Sequence, residues 1–137
     1  MSLFSKNIIK DNKNTVVTIG QENIVSVSQM LSEVQENSIT DKSEEWTKII
    51  EQISLLQKTI KELSDSFEDL RDQKLIPILS EAKSQAKDIA KNPKKEKKAF
   101  IEKFKSFCDL TGNIVDVAEK VAPYVKIIAN IIGIPIS

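Results

Sequence analysis

Apolar residues fall at Trp46, Ile49, Ile53, Leu56, Ile60, Leu63, Phe67 and Leu70, at alternating spacings of three and four. No other feature constrains the chain as much. A strand buries every second residue, whereas only an α-helix brings positions three and four apart onto one face. The run is an unbroken a/d pattern of coiled-coil type, a geometry of helix packing with no chemistry of its own. Ile50 and Leu55 widen the stripe, as expected in a bundle rather than a two-stranded coil. Asp41 followed by Glu44 makes a helix start of capping-box type. Pro77 lacks an amide hydrogen and clashes one turn back, so it interrupts or restarts the helix. Leu75, Leu79, Ala82, Ala86 and Ile89 form a second, narrower stripe. Residues 41–91 are therefore expected as a helical hairpin, or as one long helix kinked near Pro77.

Asn92 as N-cap with Pro93 at the first helical position predicts a third helix. This basic helix, 92–112, carries Phe100, Phe104, Phe107 and Cys108 on its apolar face, and Gly112 sits where a helix would end. Residues 113–137 form a hydrophobic segment. No internal repeat is visible. The N-terminal part, 1–40, differs in character. Thr15-Val16-Val17-Thr18-Ile19 reads as a short strand, Gly20-Gln21-Glu22-Asn23 as a turn, and Ile24-Val25-Ser26-Val27-Ser28 as a second strand. In that reading Val17 and Ile19 share one face, as do Val25 and Val27. The expected fold is all-α, a bundle of three or four helices or helical hairpins, with a short N-terminal β-hairpin. Residues 1–40 form an interaction motif and linker, and residues 41–137 the helical domain.

Composition removes most catalytic classes. The chain of 137 residues has no His and one Cys, Cys108. Triads that need an imidazole base are excluded, as are zinc sites built from Cys and His. Three glycines leave no phosphate-binding loop. Glu44/Glu45 and Glu68/Asp69 are adjacent pairs that diverge on a helix, and Asp65/Asp69 reads as an exposed acidic patch. Cys108 reads as a small buried hydrophobe. The expectation is no enzyme, no catalytic residue, no metal and no cofactor. Arg71 is the lone arginine and the formal net charge is zero, which argues against sequence-specific nucleic-acid binding. The first residues hold too short an apolar run for a signal peptide.

Val17-Thr18-Ile19-Gly20-Gln21-Glu22-Asn23-Ile24-Val25 resembles the RIP homotypic interaction motif and the related amyloid signalling motifs of bacterial and fungal immune proteins. That motif reads apolar-Gln-apolar-Gly-x-x-Asn-x-apolar. Val17, Ile19, Gly20, Asn23 and Val25 match it; Thr18 stands where Gln is usual, and Val25 where Met, Leu or Ile is. The resemblance implies homotypic assembly, in which identical strands stack and Asn23 forms a ladder along the stack. The plain alternative is an ordinary hairpin packed on the helices.

Besides sitting in the groove of a protein partner, the C-terminal segment has two readings. Ile114 to Ile136 carries four charged residues, Asp116, Glu119, Lys120 and Lys126. It reads either as the central buried helix of a bundle or as a membrane-contacting segment, with Val121, Pro123, Tyr124, Val125, Ile127, Ile128, Ile131, Ile132 and Ile134 against the lipid. Pro123 mid-segment and an apolar surface on nearly all sides favour the second. Upstream, residues 91–105 hold seven Lys against Glu96 and Glu102. Lys94, Lys95, Lys97 and Lys98 are the candidates for contact with an anionic lipid surface.

The order of parts is similar to small bacterial conflict-system effectors. That likeness implies a non-enzymatic antiviral (anti-phage) effector of bacterial immunity. It would assemble with itself, take a signal from an immune sensor carrying a matching motif, and move from the cytoplasm to the inner membrane, which it disrupts. The rival reading is a soluble, homo-oligomeric helical interaction or adaptor module with no membrane activity.

Overall fold

A computed structural model describes residues 19–134, and among them the protein is all-helical. The order is α1 (Ile19–Leu31), a 3₁₀ turn (Glu36–Ser38), α2 (Ser43–Lys61), a 3₁₀ turn (Asp65–Phe67), the short α3 (Glu68–Leu70), a π-turn (Arg71–Leu75), α4 (Ile76–Lys91), α5 (Lys98–Gly112) and α6 (Val115–Ile132). α2, α4, α5 and α6 form a bundle, in which α2 packs on α4 and α6, and α4 on α5. α1 lies across α5 and α6.

The a/d stripe builds the centre of this core. Trp46, Ile49, Ile53, Leu56 and Ile60 are all buried on α2. The Trp46 ring meets Phe100 edge-on at 5.0 Å, and Phe100 stacks on Phe104 at 6.0 Å. Each such pair contributes about 0.5–1.5 kcal/mol beyond its buried area. The Trp46 indole N–H donates to the Thr40 carbonyl at 2.9 Å, so the one polar atom of the anchor is satisfied. The helix begins at Ser43 rather than Asp41, and it is the Thr40 hydroxyl that pairs with the Glu45 carboxylate. Leu55 is exposed, so the stripe is narrower on that side than expected.

Residues 41–91 form the hairpin, but its turn is not at Pro77. α2 ends at Lys61, and Arg71 Nη1 donates to the Leu63 carbonyl at 2.9 Å, closing the turn. Ser64, Asp65 and Ser66 supply short polar side chains that compete with helical hydrogen bonds. Pro77 stands at the start of α4, just after the π-turn. The wider turn moves the carbonyls that its ring would strike and needs no amide hydrogen from it.

Two further expectations are corrected. The basic helix begins at Lys98, not Asn92. Asn92 ends α4 instead, its N–H donating to the Asp88 carbonyl, and residues 93–97 are a connection. A short polar residue before Pro serves a helix end as well as a helix start. The N-terminal β-hairpin is not present among the described residues. Ile24–Ser28, expected as a strand, lies inside α1. Val17 and the rest of the first expected strand up to Thr18 lie outside the described residues. The reason is visible in the burial. Ile24, Val27 and Leu31 are buried at helical spacing, while Val25, paired with Val27 by the alternating pattern, is 40% exposed. A run this short satisfies both periods, and tertiary packing decides between them.

α6 ends at Gly133, whose φ of 118° is left-handed and closes the helix with its N–H on the Ala129 carbonyl.

Candidate functional site

The candidate site is the seam where α1 covers α5 and α6. α1 runs antiparallel to α5. Gln21 Nε2 donates to the Gly112 carbonyl at 3.0 Å at one end. The Ser28 hydroxyl donates to the Asp109 carboxylate further along. Between them the two helices touch closely. A Cβ on Gly112 would lie 2.9 Å from Ile24 Cγ2 and 3.6 Å from Ile24 Cβ. With isoleucine at 24, a side chain at 112 would force the two helices or the Ile24 methyl to shift.

Asp109 is the carboxylate that Ser28 meets across the seam. Desolvation raises its pKa, but the Ser28 hydroxyl and the Lys105 ammonium, 3.0 Å away, outweigh it, and the net shift is downward. Cys108 lies in the same seam, beside Val25 and Ser28 of α1. It is buried, and desolvation pushes its thiol far above the ordinary range, so it is a neutral, inert sulfhydryl.

Four of the five sequence-predicted motif residues lie on the α1 side of this seam, and Val17 lies outside the described residues. Ile19 and Gly20 are the first residues of α1, and Asn23 and Val25 follow in its second turn. Asn23 is half-buried, and Val25 is exposed next to Gly112. The two residues that hold α1 down, Ile24 and Ser28, were not singled out by the motif. Their signal was the helical spacing of Ile24, Val27, Ser28 and Leu31.

The proposed lipid-facing residues of α6 divide. Val121, Val125, Ile128, Ile132 and Ile134 are buried in the core. Pro123 and Ile127 face outward, Ile127 at 42% exposure, and Tyr124 and Ile131 are half-buried. α6 is thus an amphipathic core helix, not one that is bare on all sides. Pro123 is tolerated because it stands on the outer face, where the carbonyl it leaves unpaired meets solvent. No helix among the described residues is long and apolar enough to cross a membrane.

Of the four lysines, Lys94, Lys95 and Lys98 are exposed. Lys97 is not: its ammonium turns inward and donates to the Pro93 and Lys95 carbonyls at 2.8 and 3.0 Å. Its backbone N–H donates to Glu36 Oε2 at 2.9 Å. This anchors the 3₁₀ turn Glu36–Ser38, whose other end lies against Gly133: a Cβ there would sit 3.2 Å from the Ser38 carbonyl oxygen. One three-residue turn therefore ties the lysine-rich connection to the C-terminal end of α6, and both occupy the same end of the bundle.

Among the described residues no three His, Cys, Asp or Glu side chains are grouped to hold a metal ion. A groove of about 520 Å³ between α4 and α5 is lined by Pro77, Ile78, Leu110 and polar residues, and its Lys103 is paired with Glu81. No protein-family model, no curated protein and no solved structure matches the chain.

Proposed function

We propose that the chain is a non-enzymatic effector of bacterial antiviral immunity. It assembles with copies of itself, or with a sensor bearing a matching motif, through Val17–Val25. It then acts with α6 on an anionic inner membrane, reached from the cytoplasm. The assembly half of this reading rests on the resemblance of the nine residues to homotypic amyloid motifs. The membrane half is supported by one observation: exposed Lys94, Lys95 and Lys98 share an end of the bundle with the C-terminus of α6. A cationic collar beside an apolar helix end suits an anionic lipid surface.

The adaptor reading has its own support, because five of the nine proposed lipid-facing residues are core. Dye release from vesicles separates the two. Full-length chain, seeded with fibrils of a peptide spanning residues 10–30, is added to vesicles of neutral lipid or of neutral lipid with about a third anionic lipid. Release is expected from the anionic vesicles alone, and Lys94→Glu/Lys95→Glu/Lys98→Glu should reduce it at least tenfold. Assembly without release from either vesicle would overturn membrane action and leave the adaptor. A peptide that stays monomeric without β signal would overturn the motif.

A further inference from the structure

We infer that α1 is an autoinhibitory cover, and that its packed helical form and the assembled form of the motif exclude each other. The inference rests on the homotypic reading above and adds the switch that reading lacks.

The same residues serve both states. Ile19, Gly20, Asn23 and Val25 match the motif, and all four lie in α1. Stacked strands present alternate residues to each face, whereas a helix presents residues three and four apart. Ile24 and Val27 are buried at helical spacing, and Ser28 is held by Asp109. An extended 24–28 gives up each of these contacts. Assembly therefore requires α1 to leave α5 and α6.

Departure has a defined consequence. α1 packs chiefly on α5 and α6, while the contacts of α2 with α4 and α6, of α4 with α5 and of α5 with α6 do not involve it. The face uncovered is apolar and belongs to the buried side of α5 and α6, next to Gly112 and Cys108. A large exposed apolar face is an association site or an aggregation hazard. The closed state hides it; a template of matching strands, which binds only the extended form, shifts the population toward the open one.

The seam supplies its own lock. The 3.6 Å between Ile24 Cβ and a Cβ on Gly112 falls within the range of disulfide geometry. Ile24→Cys removes the methyl that a side chain at 112 would strike, and Ile24 occupies a position the motif leaves free. The double variant Ile24→Cys/Gly112→Cys is compared oxidised and reduced, with Trp46 fluorescence to verify the fold of both. Seeding by the 10–30 fibrils is expected to convert the reduced chain and to slow at least tenfold in the oxidised one. Equal conversion of both forms overturns the cover. Conversion of the reduced chain without dye release overturns membrane action and leaves the cover standing.

A second measurement needs no seed. Hydrogen exchange of the wild-type chain is expected to show α1 opening more readily than α2 and α4. Gly112→Ala should raise exchange in α1 and the labelling rate of the Cys108 thiol together, at least tenfold, with α2 and α4 unchanged. A single protection level across α1, α2 and α4, or Cys108 labelling that follows only global unfolding, overturns the proposal.

Discussion

Ile24 Cγ2 stands 2.9 Å from the point where a Cβ on Gly112 would lie, so α1 and α5 meet almost backbone to side chain. Glycine at 112, the last residue of α5, is a packing requirement. Gly112→Ala is expected to cost about 1–3 kcal/mol, the usual cost of overpacking a close contact. The alanine's better helix propensity offsets only part of it. A shift of the urea midpoint without a change of slope is the expected result. An unchanged or higher midpoint would mean that α1 moves aside freely.

The Ser28–Asp109–Lys105 group makes the seam sensitive to acid. Desolvation raises the Asp109 pKa, but hydrogen bonds from Ser28 and Lys105 and the Lys105 charge lower it below the ordinary 3.8. A depressed carboxylate stabilises the fold above its unfolded pKa and loses that contribution as pH falls through the folded value. The wild-type chain should therefore lose stability on acidification from 3.8 downward, with α1 affected first. Ser28→Ala removes one of the stabilising bonds, and the acid-induced drop in its thermal midpoint should be smaller than in wild type. An identical drop in both would show that Ser28 does not hold the carboxylate.

How far the sequence revealed this arrangement depended on the length of each pattern. The a/d run from Trp46 to Leu63 was legible because six consecutive positions agree on one period, and all six are buried. Ile24–Ser28 was not, because five residues fit either a strand or a helix turn. The contact that decides, Ile24 on Gly112, is separated from it by most of the chain. Lys97 shows the same limit at a single residue. In the sequence it is one lysine of a cationic run; in the fold, two carbonyls of its own connection turn its ammonium inward. The Lys94–Lys98 cluster and the end of α6 come together for a related reason. The α5–α6 turn reverses the chain, and sequence proximity did not require it.

Gly133 has a different role from Gly112. Its φ of 118° is open to glycine and strained for other residues. A Cβ there would also meet the Ser38 carbonyl at 3.2 Å. Gly133→Ala is expected to cost about 1–3 kcal/mol, the range for a non-glycine residue held in a left-handed conformation. Because the 3₁₀ turn Glu36–Ser38 also carries the Lys97 contact, the substitution should speed hydrogen exchange in residues 36–39 and 97–98 as well as at the end of α6. Confinement of the change to residues 130–134 would show that the two contacts are independent.

Gln52 and Gln85 keep side-chain amide oxygens buried with no hydrogen-bond partner. A buried acceptor left unsatisfied costs about 1–3 kcal/mol relative to one that is paired or removed. Replacing each by an apolar residue of similar size removes that cost and adds buried carbon. Gln52→Met and Gln85→Met are therefore expected to be neutral or stabilising, by up to about 1 kcal/mol each. Most buried substitutions destabilise, so the sign is informative. A loss of more than about 1 kcal/mol in urea unfolding would mean that these amides make bonds through water in solution, and that the polar layer contributes to the register of α2 and α4.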